Sequence, residues 1–139
     1  IMTMAGDLAE QDSDAFDEVM AAFRLPKLTD EDIKIRREHI RNTMLKAAQI
    51  PYKTAEVSLE LLNSIQHLSS CCNGSAISDV GVAALLASAS CKGALFNVEI
   101  NLNSIPEEMG HSMRDNLDSM NEECRHVSKK VMHTVKERL

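Results

Sequence analysis

One acid group and one row of polar side chains are the residues best placed for chemistry in this chain. Asp12 lies four residues from Leu8 and from Phe16 and seven from Val19, spacings that set it beside the apolar face of a helix. A carboxylate in that position can have its pKa raised by desolvation, which suits general acid–base work near neutrality. Between Ile77 and Leu102 polar residues are few, and they are not scattered. On a helix, Asp79 and Asn97 are about five whole turns apart at one azimuth, with Ser90 roughly 20° and Asn101 roughly 40° away. Such groups are costly to bury unless hydrogen-bonded. They either tie helices or subunits together or line a ligand pocket, and the spacing alone leaves both readings open.

Other chemistries are poorly supplied. Glu123 and His126 have the spacing of a helical di-iron motif, but such a site needs two of these motifs and two further Glu residues. The four cysteines, Cys71, Cys72, Cys91 and Cys124, form no Cys-x-x-Cys pair, so neither zinc nor any other metal is expected. His67 sits on a largely apolar segment and reads as a packed histidine. No Gly-rich phosphate loop or nucleophile elbow is present. The basic run KIRREHIR (34–41) reads as a solvated face with ion pairs to Asp30, Glu31 and Glu38; the other reading is a docking surface for an anionic ligand tail.

The elements that position these residues are helical. The 139 residues suit one domain, 1–139. They are 44% hydrophobic but only 3% aromatic, so Ala, Leu, Met and Val must do the packing, as in helices. Periodicity predicts a first helix over 2–24, with Met4, Leu8, Phe16, Val19, Met20 and Phe23 on its apolar face. Leu25-Pro26-Lys27 breaks it. Thr29 caps a second helix to about Gln49, with Asp32 completing a capping box. Pro51 opens a third, buried by Ala55, Val57, Leu59, Leu61, Leu62, Ile65 and Leu68. Asn73-Gly74 marks a turn. A central helix, started by Ser78 or Asp79, runs to Leu102; its small, nearly charge-free middle reads as buried on all sides, in a bundle or at a subunit interface. Residues 106–138 form the last helix, with a stripe from Met109 and Met113 to Val131 and Val135. The expected fold is an all-α multihelical bundle of about five helices. A formal net charge of -6 argues against nucleic acid and against an anionic membrane surface as partners. No uninterrupted apolar run long enough for a bilayer and no leader are visible, so free thiols in a cytoplasmic protein are expected.

Four segments, in order, carry a resemblance to a known family. They are DSDAF (Asp12 to Phe16) followed by FRLPK (Phe23 to Lys27), IPYKTAE (Ile50 to Glu56), SDVGVAA (Ser78 to Ala84) and FNVEINL (Phe96 to Leu102). Together they resemble the C-terminal family of formiminotransferase–cyclodeaminases, which includes stand-alone bacterial methenyltetrahydrofolate cyclohydrolases. The match spans residues 1 to about 105; the last helix matches only in character. The resemblance implies an all-helical, dimeric, folate-dependent enzyme that either hydrolyses 5,10-methenyltetrahydrofolate or cyclodeaminates 5-formiminotetrahydrofolate. It implies no cofactor beyond the tetrahydrofolate substrate. It carries the catalytic role to Asp12 and a place near the folate to Ser78, Asp79, Asn97 and Asn101. Arg24 and Lys27 are candidates to meet the glutamate carboxylates. The family begins with a Gly-rich GGGS segment and a long Ala-rich helix, and this chain starts downstream of both. The competing expectation is therefore a non-catalytic helical dimerisation module.

Overall fold

The computed structural model describes residues 2–139, and of Met2 the backbone only. Among them are four α-helices and no strand: α1 (Met2–Phe23), α2 (Asp30–Cys71), α3 (Ile77–Asn103) and α4 (His111–Arg138), with a 3-10 turn at Gly74–Ala76. The five expected helices become four because Pro51 lies inside α2 instead of opening a new helix. An interior proline costs about 3 kcal/mol. Here Ala55, Leu59, Leu62 and Ile65 are buried just beyond it, and each large apolar side chain contributes about 1.5–3 kcal/mol, so continuing the helix wins. At 42 residues, α2 is about 63 Å long, and α1, α3 and α4 all pack on it.

Local chemistry sets the helix ends. The Thr29 hydroxyl accepts from the Asp32 amide (3.1 Å) while the Asp32 carboxylate accepts from the Thr29 amide (3.0 Å), the expected capping box. The turn before it is held by Arg36, whose guanidinium donates to the Phe23 carbonyl (3.1 Å) and lies 5.7 Å from the Phe23 ring centre. Neither Ser78 nor Asp79 caps α3. The Asn73 side chain instead accepts from the Ser75 amide, and the short 3-10 turn feeds directly into Ile77. The last helix starts at His111 instead of residue 106, because Gly110 adopts φ +73° and redirects the chain. Two arginines then take up the carbonyls left over at helix ends. Arg114 donates to the carbonyls of Leu102, Ile105 and Met109, and Arg138 to those of Ser69 and Cys72.

The core lies between α2, α3 and α4. The α4 stripe is buried as expected from Met113 to Val135, with Leu117 partly covered, and it meets Val80, Ala84, Ala87, Cys91 and Leu95 of α3. A second cluster joins Ala48, Val98, Leu102, Ile105 and Met113. Two expectations fail. Among the described side chains of α1, Leu8, Val19 and Ala22 are buried, while Met4, Phe16, Met20 and Phe23 are exposed, because α1 packs on α2 and leaves a cleft beside α3. Nor is α3 buried on all sides: Val82, Leu85, Leu86, Phe96 and Ile100 are each more than half exposed along its outer face. The segment Gly74–Asn103 is long and apolar enough to cross a membrane by length and composition. The expectation from uninterrupted runs missed this, since interspersed Ser, Cys and Lys break a run without making a window polar. The ion pairs expected of the basic run are also missing. Among the described residues the salt bridges are Lys46–Glu18, Lys53–Glu56, Arg125–Glu122 and His133–Glu137, and none of them involves residues 34–41.

Two predictions follow from the packing. A Cβ on Gly110 would lie 2.6 Å from Cδ2 of the fully buried Leu102. Gly110→Ala therefore combines left-handed strain with overpacking, a loss of about 2–4 kcal/mol read as a lower urea midpoint; an unchanged midpoint refutes this. All four cysteines are free, but burial, helped by neighbouring Cys124, pushes the Cys91 thiol from 9.0 up to about 12. The folded state thus favours the neutral thiol. This contribution is complete below pH 9 and is lost as pH rises from there towards 12. Native protein should expose Cys71 to a thiol reagent at once and Cys91 and Cys124 only on unfolding; equal rates for all four would contradict it.

Candidate active site

Two adjoining cavities lie in the cleft between α1, α2 and α3. The first, about 410 Å³, takes Ala5, Leu8, Ala9 and Asp12 from α1; Pro51, Thr54 and Ser58 are among its α2 residues and Ser90 and Asn97 among those of α3. The second, about 290 Å³, takes Asp12, Phe16 and Val19 from α1, Met44, Ala47 and Pro51 from α2, and Asn97, Ile100 and Asn101 from α3. Asp12, Pro51 and Asn97 line both. One residue from each of three helices thus stands at the junction.

Each helix delivers its residue by simple periodicity. On α1, positions 5, 8, 9 and 12 share a face, and Ala5 and Ala9 are small enough to leave the first cavity open. On α2, Pro51 removes the amide that Ala47's carbonyl would take in the i+4 pattern, and Ala47 borders the second cavity. A main-chain acceptor without its usual partner therefore sits at the cleft. On α3, Ser90, Asn97 and Asn101, which share a side as their azimuths predicted, line the cavities that α1 also borders. Ser90 shares a 2.9 Å hydrogen bond with Ser58 across the cavity floor, and Ser58 is 7% exposed. Among the described residues of α3, side-chain hydrogen bonds are made by Ser88 and Ser90. Asn97 and Asn101 make none there, so their amides are not spent on joining helices. Within the stripe, Ser90 joins α3 to α2, while Asn97 and Asn101 border the cavities.

Not every candidate enters this cleft. Asp12, Asn97 and Asn101 come together. Ser78 and Asp79 are exposed at the start of α3, about 27 Å of helix from Asn97; a shared azimuth does not bring residues five turns apart into one site. Arg24 and Lys27 are exposed in the turn after α1, beyond the second cavity. Asp12 itself is solvent-exposed, so the burial expected from its spacing beside the apolar face is not found in this chain. Thr54 and Ser58 were missed by the sequence reasoning. With Pro51 they sit three and seven residues apart, a small and polar stripe on an otherwise Leu- and Val-rich segment, and that signal could have found them. The basic run of α2 borders a separate cavity of about 510 Å³ with Lys34, Arg37 and Arg41 on its wall beside Asp30 and Glu38. It is the least apolar of the three and contains none of the candidate residues.

Comparison with known proteins gives a consistent picture. Residues 1–119 match the family described as Formiminotransferase-cyclodeaminase. The chain is 30% identical over 138 residues to a methenyltetrahydrofolate cyclohydrolase of Methylorubrum extorquens, covering 99% of this chain and 66% of that protein. It is 34% identical over 102 residues to the formimidoyltransferase-cyclodeaminase of Rattus norvegicus, covering 73% of this chain and 19% of that one. The crystal structure of a formiminotetrahydrofolate cyclodeaminase from Thermotoga maritima superposes with a TM-score of 0.70 at 28% identity, over 96% of this chain and 61% of that chain. The chain thus spans less than two thirds of the length of each of these three relatives.

Proposed function

This chain belongs to the formiminotransferase-cyclodeaminase family, and from that premise we propose that it acts on the one-carbon bridge of a reduced folate. The reaction is hydrolysis of 5,10-methenyltetrahydrofolate to 10-formyltetrahydrofolate or cyclodeamination of 5-formiminotetrahydrofolate to the methenyl form plus ammonia. The observation that carries this reading is the junction: Asp12 and Asn97, from different helices, line two adjoining cavities, and the bond to be changed in either substrate lies between two bulky halves.

The chemistry needs what the junction holds. In hydrolysis, water adds to the carbon between N5 and N10, both of its protons leave in turn as the formyl C=O forms, and one proton reaches N5 as its bond to carbon breaks, so that one proton is released overall. In cyclodeamination, N10 attacks the formimino carbon and loses its proton, and the imine nitrogen takes up that proton and one more before it departs as ammonia. Both routes pass through a tetrahedral carbon, with an amidinium cation on one side of it. Asp12 is the acid/base that moves these protons, and its negative charge stabilises the cation. Asn97 and Asn101 orient the substrate's amide groups from α3. Ser78 and Asp79, at the far end of that helix, have no part in the step within one protomer.

The working form is a homodimer built on the outer face of α3. Leu86, Phe96 and Ile100 are 68%, 64% and 64% exposed there. Between Asp79 and Lys92 this stretch carries no charge, so two copies of a chain of net charge -6 repel least along it. The face also borders the cleft, so a second copy would help to shield Asp12 from water.

Two experiments test these readings. Asp12→Asn should lower turnover roughly 10²- to 10⁴-fold, followed as ultraviolet loss of 5,10-methenyltetrahydrofolate and as ammonia release from 5-formiminotetrahydrofolate; wild-type rates in the variant would remove Asp12 from its role. A wild-type protein inert in both assays would favour the non-catalytic helical module instead. Sedimentation should find a dimer for the wild type and a monomer for Leu86→Glu/Phe96→Glu, and a wild-type monomer would overturn the assembly.

A further inference from the structure

We infer that the cleft fixes the direction in which the substrate lies, with the pterin head against the Ser58–Ser90 hydroxyl pair and the aryl-glutamate arm along Phe16 towards Arg24 and Lys27. This rests on the folate reading above and deepens it. The two cavities meet at Asp12, Pro51 and Asn97 and extend in opposite directions along the helices. Along α1 the first is lined by residues 5 to 12 and the second by residues 12 to 19; along α3 the first takes 89 to 97 and the second 97 to 101; α2 runs antiparallel, 61 to 51 and then 51 to 44. A folate whose reacting carbon sits at Asp12 must place one half in each cavity.

Three observations choose between the two directions. The bicyclic head carries a row of ring nitrogens, an amino group and a carbonyl. The larger cavity offers it Ser90, held by a buried Ser58 at 2.9 Å, about 10.5 Å of helix from Asn97. Ser58 is a positioning residue, because its hydroxyl fixes the rotamer of Ser90. The smaller cavity has the aromatic ring, Phe16, which suits an aryl group. The charge is also polarised. Along α1 both cavities are flanked by acids, Asp7 and Glu10 beside the first and Asp14, Asp17 and Glu18 beside the second, but beyond the second α1 is followed by Arg24 and Lys27, and the basic run of α2 precedes Met44. The substrate's carboxylates are favoured at the basic end.

The test uses two fragments of the substrate as competitors of methenyltetrahydrofolate turnover. The fragments are 6-methyltetrahydropterin and p-aminobenzoylglutamate. Ser90→Ala should raise the inhibition constant of the pterin about tenfold, as for a lost hydrogen bond, and leave that of the arm unchanged. Phe16→Ala and Arg24→Ala/Lys27→Ala should do the reverse. Ser58→Ala should raise KM and weaken the pterin fragment with little change in kcat, a split that general loss of stability does not produce. Circular dichroism melts check that each variant is folded. The opposite pattern, or equal effects on both fragments, overturns the orientation while leaving the folate reading intact. A wild type that turns over neither folate overturns both.

Discussion

The close approach of α3 to α2 and α4 is the constraint on which the rest of the molecule depends. Its inner face is built from Val80, Gly81, Ala84, Ala87, Cys91 and Ala94, side chains small enough for neighbouring backbones to come near. At Gly81 the limit is visible, because a Cβ there would already lie 3.1 Å from Val135. Packing this tight fixes the rotation of α3 about its axis. Once that rotation is set, Ser90, Asn97 and Asn101 must line the cleft, and Leu86, Phe96 and Ile100 must face outward. The cleft and the apolar outer face are two consequences of one buried stripe.

The same constraint explains why a cleft exists at all. Because α2 is one helix about 63 Å long, it extends past the three-helix core and gives α1 a surface of its own. Leu8, Val19 and Ala22 seat α1 on it, and Lys46 bridges to Glu18 at 3.3 Å. Alanines at 5 and 9 then keep α1 from filling the space beside α3. Pro51 falls at the middle of this arrangement and lines both cavities. Its missing amide weakens the helix where the cleft is, and burial on either side compensates. A feature that destabilises α2 locally thus sits at the wall of the cleft.

Much of this was legible beforehand. The α4 stripe, the Thr29–Asp32 capping box and the all-helical class followed from periodicity and capping chemistry, which act over a few residues. The pairing of Asp12 with Asn97 and Asn101 was legible too, through helical azimuths and family motifs together. Errors arose where a local signal competed with long-range packing. Pro51 looked like a helix start because nothing nearby reveals how much apolar surface is buried on both sides of it. Phe16 and Phe23 looked like core because periodicity reports a face and not what covers it. Asp79 looked like a neighbour of Asn97 because azimuth carries no information about distance along the axis.

By itself, the amino-acid sequence determined which residues are helical, which face of each helix is apolar, and which few polar groups share a stripe, because propensity, capping and 3.6-residue periodicity are properties of short segments. Only the tertiary structure decided that two of the expected helices are one, that α3 is covered on one side alone, and that Asp12, Pro51 and Asn97 meet at one junction. Those outcomes turn on which helices compete for the same buried surface, and that competition takes place between residues far apart along the chain.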